Sequence, residues 1–412
     1  MTAADPKAVW VMQGWLFFNE AKFWQPTQIK ALLDAVPDNQ MIILDLYSEL
    51  HPVWTRTNSY YGKPWIWNML QNFGGNVSMN GIMANIAVQP DAARRASKSM
   101  EGIGLTPEAI EQNPALYELM LHNIWMDRAI DTAHFMKTYL DDYAERRYCK
   151  SDSKMNEAWS LLYRSIYGGI PRRGGPASII VGRPDLNMVI DYRVDTLMSY
   201  NPRLLIKAWG LFMQSADQLK ASDGFQYDIV DVTRQVLANY ADVIQPRIIA
   251  AYNRKDIAAL KRAETDFLEV LNDMDNLLAT RKDFLLGKWI HDARLNGITS
   301  KESDLYEFNA RDLVTLWGDK NSPLHEYSNR QWAGLIKGFY KPRWEMFFAD
   351  LNKSLLNKTS FNDAAFQNKV KDWEWAWVNK HDPYPYKVTG NSVEVAEKLF
   401  AKYHTQIEAT YR

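Results

Sequence analysis

The chain has 412 residues, 47% of them hydrophobic, with 48 lysines and arginines against 49 aspartates and glutamates. That length can bury a large core and suits two domains better than one, while a formal net charge of -1 gives no long-range attraction to polyanions. No basic run exceeds Arg-Arg, no apolar stretch reaches about 18 residues, and the single cysteine, Cys149, excludes an intrachain disulfide and a cysteine-rich zinc site; nucleic acid and membranes are therefore not expected partners.

The first 115 residues alternate short extended runs with helical ones. The candidate strands are 8–15 (AVWVMQGW), 40–49 (QMIILDLYSE), 64–73 (PWIWNMLQNF) and 99–108 (SMEGIGLTPE). Helical spacing falls at 26–38 and 80–99, and Met1 stands in a stretch that also reads as helical. Near-continuous apolar strands alternating with helices predict a parallel sheet or barrel buried on both faces. In such folds, chemistry sits at the C-terminal ends of strands. Each run does end in polar or aromatic residues: Trp15, then Asp45 and Glu49, then Asn72 and Asn76, then Glu108.

From about Asn113 the period changes, and a boundary is expected near 113–120. Leu116, Leu119, Met120 and Ile124, then Met136, Tyr139, Leu140 and Tyr143, recur at three- and four-residue spacing, as an amphipathic helix requires. Further helical runs are expected at 154–167, 201–221, 226–251, 255–280, 282–295, 301–317, 326–338, 341–356, 361–378 and 391–405. Segment 168–190 is the least regular. The reading is thus a partial (β/α)8-type domain over 1–115 followed by an all-α domain over 116–412.

Sequence motifs exclude several chemistries. There is no phosphate-binding glycine loop, nucleophile elbow, His-Glu-x-x-His pair or calcium loop, and the seven histidines lack metal-ligand spacing. What remains is carboxylates at strand ends, the parts that glycoside hydrolysis uses. Asp45, Glu49 and Glu108 are eligible, although such acids equally serve as helix caps or ion-pair partners. The 16 tryptophans, 21 tyrosines and 16 phenylalanines supply core, and also faces that stack on sugar rings.

Several ordered blocks resemble the α-N-acetylglucosaminidase family, glycoside hydrolase family 89. They are VWVMQGWLF, PTQIKALLDAVP, ILDLYSE, PWIWNMLQNFGGN, GIGLTPEAIEQNP, TLWG and EYSNRQWAGLIKGFYKPRWEMF. The resemblance runs from about Val9 to the C-terminus. It implies a (β/α)8-type catalytic domain, here its C-terminal portion, followed by a large helical domain. It further implies retaining removal of terminal α-linked N-acetylglucosamine from a glycan by two glutamates, with no cofactor.

The family's nucleophile block matches Thr106-Pro107-Glu108, so the resemblance assigns Glu108 as nucleophile. It also assigns Trp15, Leu46, Leu70, Phe73, Trp317, Leu324 and Tyr327 to sugar binding, and leaves Asp45 and Glu49 orienting or structural. The family's acid/base block is not matched in this sequence. The resemblance places that block upstream of Met1 together with an export signal, since family members are exported or lysosomal. Glu20 of FNE lies in a stretch with no catalytic counterpart. The expectation is a chain with little hydrolytic activity alone. The alternatives are a carbohydrate-binding or scaffold fragment without catalysis, and a retaining α-glycosidase of other sugar preference.

Overall fold

The computed structural model describes residues 3–109, 112–125, 132–169, 177–186 and 198–411. The chain divides into two compact units, one made of Met1–Phe73 with Gly81–Tyr139 and the other of Gly74–Asn80 with Leu140–Arg412.

The first unit is built on four parallel strands, β1 (Trp10–Gln13), β2 (Met41–Asp45), β3 (Trp65–Met69) and β4 (Met100–Leu105), adjacent in chain order. Helices α1 (Trp15–Asn19) and α2 (Pro26–Asp34) lie in the first crossover and α3 (Met83–Ala96) in the third, while the β2–β3 connection is a loop with a 3₁₀ turn at Ser59–Gly62; α4 (Pro114–His122) and the start of α5 (Thr132–Tyr148) follow. Parallel strands need such crossovers because a tight turn cannot reverse the chain twice. Met41, Ile43, Trp65, Trp67 and Met69 are fully buried, as the near-continuous apolar runs require.

At Gly104 of β4 an added Cβ would stand 2.3 Å from the Asn68 side-chain oxygen, so glycine lets the β3 and β4 side chains share one layer. β1 and β4 are the two edges of the sheet, and Val9, Trp10 and Val11 beside the β1 edge are 50%, 39% and 59% exposed.

The four expected strands are all present but shorter, because each run's last residues leave the sheet to form the loops at its C-terminal edge. Helix α1 was not expected; five residues beginning at Trp15 carry too little periodicity to register. Near the N-terminus the expected helix is absent: residues 3–7 form turns around Pro6, and Met1 lies outside the described residues.

The second unit is helical apart from loops. Helix α6 (Ser153–Arg164) and α7 (Pro202–Leu219) precede the long α8 (Asp223–Asn253) and α9 (Ile257–Leu278). Then come α10 (Leu286–Arg294), α11 (Ser300–Leu313), α12 (Lys341–Leu356), α13 (Asp363–Val378) and α14 (Ser392–Thr410). Starts follow the chemistry of caps: Asp152, Asn201, Ser222, Asp256, Asn362 and Asn391 each accept a backbone N–H of the first turn, and Thr299 with Glu302 forms a full capping box.

Helix α8 is buried on nearly all sides, so its polar residues must pair internally. Asp228 accepts from Arg147 Nε (2.5 Å) and Nη2 (2.7 Å) and from the Tyr148 hydroxyl (2.8 Å), and Thr233 accepts from Trp209 Nε1 at 2.9 Å. Among the described residues no helix is long and apolar enough to cross a membrane.

One helical expectation fails. Over 326–338 the chain is a loop followed by a π-helical turn at Ile336–Tyr340 that runs into α12. The apolar spacing there is real, but Glu326, Ser328, Arg330 and Gln331 are buried polar groups with partners elsewhere in the unit, and satisfying them outweighs the local ladder. Of the irregular segment 168–190, residues 170–176 and 187–190 lie outside the described residues, and Ile179–Val181 forms one 3₁₀ turn.

Candidate active site

Because the four strands are parallel, their C-terminal ends share one edge of the sheet. Immediately beyond them, Trp15 after β1, Tyr47 after β2 and Phe73 after β3 form an aromatic wall. Ring centroids are 6.2 Å apart for Trp15 and Tyr47, 5.6 Å for Trp15 and Phe73, and 5.2 Å for Tyr47 and Phe73. Phe18 and His51 extend it, their rings stacked at 4.6 Å. Tyr47 and Phe73 meet edge to face while Trp15 is tilted against both, and rings at these separations gain by burial and by quadrupole attraction.

Glu108 follows the fourth strand on a segment pinned at both sides. Before it, the Thr106 N–H donates to the Met69 carbonyl at 3.0 Å, while the Thr106 hydroxyl reaches the carbonyls of Leu46 (3.3 Å) and Met69 (3.4 Å). After it, the Ala109 carbonyl accepts from Asn72 Nδ2 at 3.1 Å, Gln112 Nε2 at 3.1 Å and the Tyr117 hydroxyl at 3.3 Å. The carboxylate thus stands on backbone tied to β2 and β3, with its side chain exposed. A group held by its neighbours' hydrogen bonds and open to solvent is suited to meet a substrate.

The other two strand-end acids are buried and face their own chain. Asp45 accepts the Val53 N–H at 3.2 and 3.1 Å and the Trp54 N–H at 2.9 Å, closing the loop after β2. Burial pushes its carboxyl up to about 6 against those bonds. Glu49 accepts the Leu70 N–H at 3.0 Å and the Gln71 N–H at 2.6 Å, capturing the turn where Gln71 takes a left-handed φ of 68°. Burial raises the Glu49 carboxyl to about 8, with Asp45 adding repulsion. Asp45 acts through the loop after β2 and Glu49 through the loop after β3 that carries Leu70 and Phe73, rather than as exposed chemical groups.

This gives a stability prediction with a definite sign. A carboxyl at about 8 in the fold and near 4.5 when unfolded binds more protons folded than unfolded between those values. Its contribution is fully present below pH 4.5 and is lost as pH rises towards 8, at up to about 1.4 kcal/mol per pH unit. Glu49→Gln cannot titrate, so its denaturation midpoint is expected to fall less steeply than wild type between about pH 5 and 8. Parallel slopes in urea unfolding would show that Glu49 does not titrate there.

In the helical unit, Trp317 and Tyr327 pair edge to face with centroids 5.2 Å apart. They lie on the irregular chain between α11 and the π-turn. Trp317 has a left-handed φ of 52° and donates its N–H to the Asp312 carbonyl at 2.8 Å, while Gly318 N–H binds Asp312 Oδ2 at 3.0 Å. Leu324, 37% exposed, donates its N–H to the Ser322 hydroxyl at 3.1 Å and accepts the Tyr327 N–H at 3.0 Å.

Glu326, also left-handed at φ 65°, is anchored inside a buried ion cluster. Arg343 Nη1 donates to Glu326 Oε1 at 2.5 Å and to Glu374 Oε1 at 2.8 Å, and Arg183 reaches Glu374 at 2.5 Å. His325 lies 3.0 Å from the other Glu326 oxygen. Burial alone would raise the Glu326 carboxyl, but Arg343 and His325 hold it well below the usual carboxylate range.

The fold brings Trp15 and Phe73 together in the first unit and Trp317 and Tyr327 together in the second. Leu46 is half-buried after β2, and Leu70 is buried with its amide on Glu49. Tyr47 and His51 were missed. The signal was the Leu-Tyr-Ser-Glu-Leu-His run after β2, where Leu46 was chosen and the ring beside it was not. Among the described residues no group of three or more His, Cys, Asp or Glu side chains is placed to hold a metal ion.

Comparisons with known proteins agree with this architecture. Residues 1–127 match the family model described as "Alpha-N-acetylglucosaminidase (NAGLU) tim-barrel domain", and residues 139–402 match its "C-terminal domain". A human protein named alpha-N-acetylglucosaminidase is 39% identical over 408 residues, covering 98% of this chain and 54% of that protein.

A family 89 glycoside hydrolase from Clostridium perfringens, solved with 2-acetamido-1,2-dideoxynojirmycin, superposes with a TM-score of 0.87 at 34% identity, covering 98% of this chain and 45% of that one. A Clostridium perfringens family 89 structure in complex with its substrate GlcNAc-alpha-1,4-galactose gives 0.88 at 33% identity, covering 100% and 46%. The chain therefore spans about half the length of the relatives it matches. Two family models that together account for nearly the whole sequence, on a parallel α/β unit and a helical unit, show that the chain belongs to the alpha-N-acetylglucosaminidase family of glycoside hydrolases.

Proposed function

We propose that this chain contributes the nucleophile and much of the sugar-binding surface of a retaining α-N-acetylglucosaminidase. The observation that carries the reading is Glu108: an exposed carboxylate just past a pinned strand end, next in the sheet to the strand whose following loop carries Phe73 of the aromatic wall. Glu108 would attack the anomeric carbon of a terminal α-linked N-acetylglucosamine. A carbon–oxygen bond forms to the carboxylate as the bond to the leaving group breaks, and the departing oxygen takes that electron pair and a proton. Water then releases the sugar with retained configuration. Trp15, Leu46, Leu70, Phe73, Trp317, Leu324 and Tyr327 are the proposed sugar contacts, with Tyr47 completing the wall.

None of these residues protonates the leaving oxygen. Glu49 has a suitably raised pKa, but its oxygens are buried on the Leu70 and Gln71 amides. The proton is proposed to come from a carboxylic acid other than the residues named here.

A leaving group that needs no proton separates the two roles. With α-N-acetylglucosaminyl fluoride the 412-residue chain is expected to gain the mass of one sugar on the peptide containing Glu108, while an α-N-acetylglucosaminyl galactoside is cleaved slowly at most. Absence of the adduct, or an adduct on another residue, would remove the assignment.

A further inference from the structure

The wall residue Phe73 is followed directly by a seven-residue segment, Gly74–Asn80, that is entirely buried and belongs to the helical unit. Side chains from two distant stretches clasp it. The Gly74 carbonyl accepts from the Ser328 hydroxyl at 2.5 Å and from Arg330 Nη1 at 2.7 Å. The Val77 carbonyl accepts from Arg234 Nη2 at 3.0 Å, and the Met79 N–H donates to Gln235 Oε1 at 2.9 Å. Arg234 in turn reaches Gln331 Oε1 at 2.9 Å, joining the two stretches.

The contact is closest at Gly74. Its φ is +62°, and a Cβ there would stand 2.0 Å from the Tyr327 carbonyl oxygen and 2.8 Å from the Ser328 Cα. Only glycine allows the two backbones to approach this closely. The approach matters because Tyr327 sits on no helix or strand. A residue in irregular chain keeps its orientation only through side-chain and backbone contacts from outside the loop. Here Ser328 and Arg330, one and three residues after Tyr327, grip the carbonyl of the same Gly74 whose Cα faces the Tyr327 peptide. Arg330 also donates to the Ser328 carbonyl at 2.8 Å and the Asn329 carbonyl at 3.0 Å, so one buried guanidinium ties the loop to itself and to Gly74.

We propose that Gly74, Ser328 and Arg330 are positioning residues that set the Tyr327 ring for N-acetylglucosamine binding, with the buried 74–80 segment as the template. The proposal rests on the reading that Tyr327 contacts the sugar. Its test is the dissociation constant for N-acetylglucosamine, with the thermal midpoint measured alongside, in the whole chain and in Gly74→Ala, Ser328→Ala, Arg330→Lys and Tyr327→Ala.

Ser328→Ala removes one hydrogen bond and leaves space, so it is the variant most certain to fold, and a loss of affinity of about threefold to tenfold is expected. Gly74→Ala forces the two backbones apart and is expected to lose at least about tenfold. Arg330→Lys keeps the charge but not the fork, and is expected to fall between the two. If Tyr327→Ala weakens binding while Ser328→Ala and Gly74→Ala lower only the thermal midpoint, the clasp is structural and the proposal fails alone. If wild type does not bind, or Tyr327→Ala binds like wild type, the sugar-contact reading fails and the proposal with it.

Discussion

Glu108→Gln is expected to abolish the covalent sugar adduct and to lower turnover of an activated α-N-acetylglucosaminyl substrate by on the order of 10³-fold or more, since no other group takes over bond formation at carbon. The substitution is nearly isosteric, and the backbone on either side of Glu108 is held at Thr106 and Ala109. Affinity for N-acetylglucosamine should therefore change by no more than a few-fold. That split, chemistry lost and binding kept, is what a nucleophile predicts and a packing residue does not. A variant retaining more than about a tenth of wild-type turnover would show that the attacking group lies elsewhere.

The largest stability effect is expected at Arg343. Its guanidinium is fully buried between Glu326 and Glu374 and also donates to the Val181 carbonyl at 2.6 Å. Arg343→Met leaves Glu326 buried with His325 alone, and removing one partner of a buried pair costs about 3–5 kcal/mol. At roughly 2–4 °C per kcal/mol for a unit of this size, the midpoint should fall by about 10 °C.

The pH dependence has a definite direction. In wild type the depressed Glu326 carboxyl contributes stability above the unfolded value of 4.5, and loses it as pH falls below. In Arg343→Met the unpaired carboxylate takes up a proton readily, which relieves the penalty. The gap between the two proteins should narrow as pH is lowered from 7 to 4, and Glu326→Gln added to Arg343→Met should recover part of the loss. A loss under about 1 kcal/mol would mean that the cluster rearranges instead of standing as an unpaired charge.

The sequence by itself determined the alternation of strand and helix before Asn113 and the helical succession after it, because burial of one face imposes a period that short windows reveal. Strand ends were legible to within a few residues for the same reason: each apolar run continues only a short way beyond Gln13, Asp45, Met69 or Leu105, where the sheet stops. Family resemblance, not period, distinguished Glu108 from Asp45 and Glu49, since all three look alike as strand-end acids.

In the tertiary structure the three acids have different surroundings. It turned Asp45 and Glu49 inward onto backbone amides and left Glu108 exposed between pinned neighbours. It also decided what no window could contain. The 326–338 segment has helical spacing, yet it is a loop, because Ser328 and Arg330 find their partner 254 and 256 positions away at Gly74. Periodicity reports which face of a local element leaves water. The pairing of buried polar groups is settled only when the whole chain has folded, since an unpaired one costs more than a turn of helix returns.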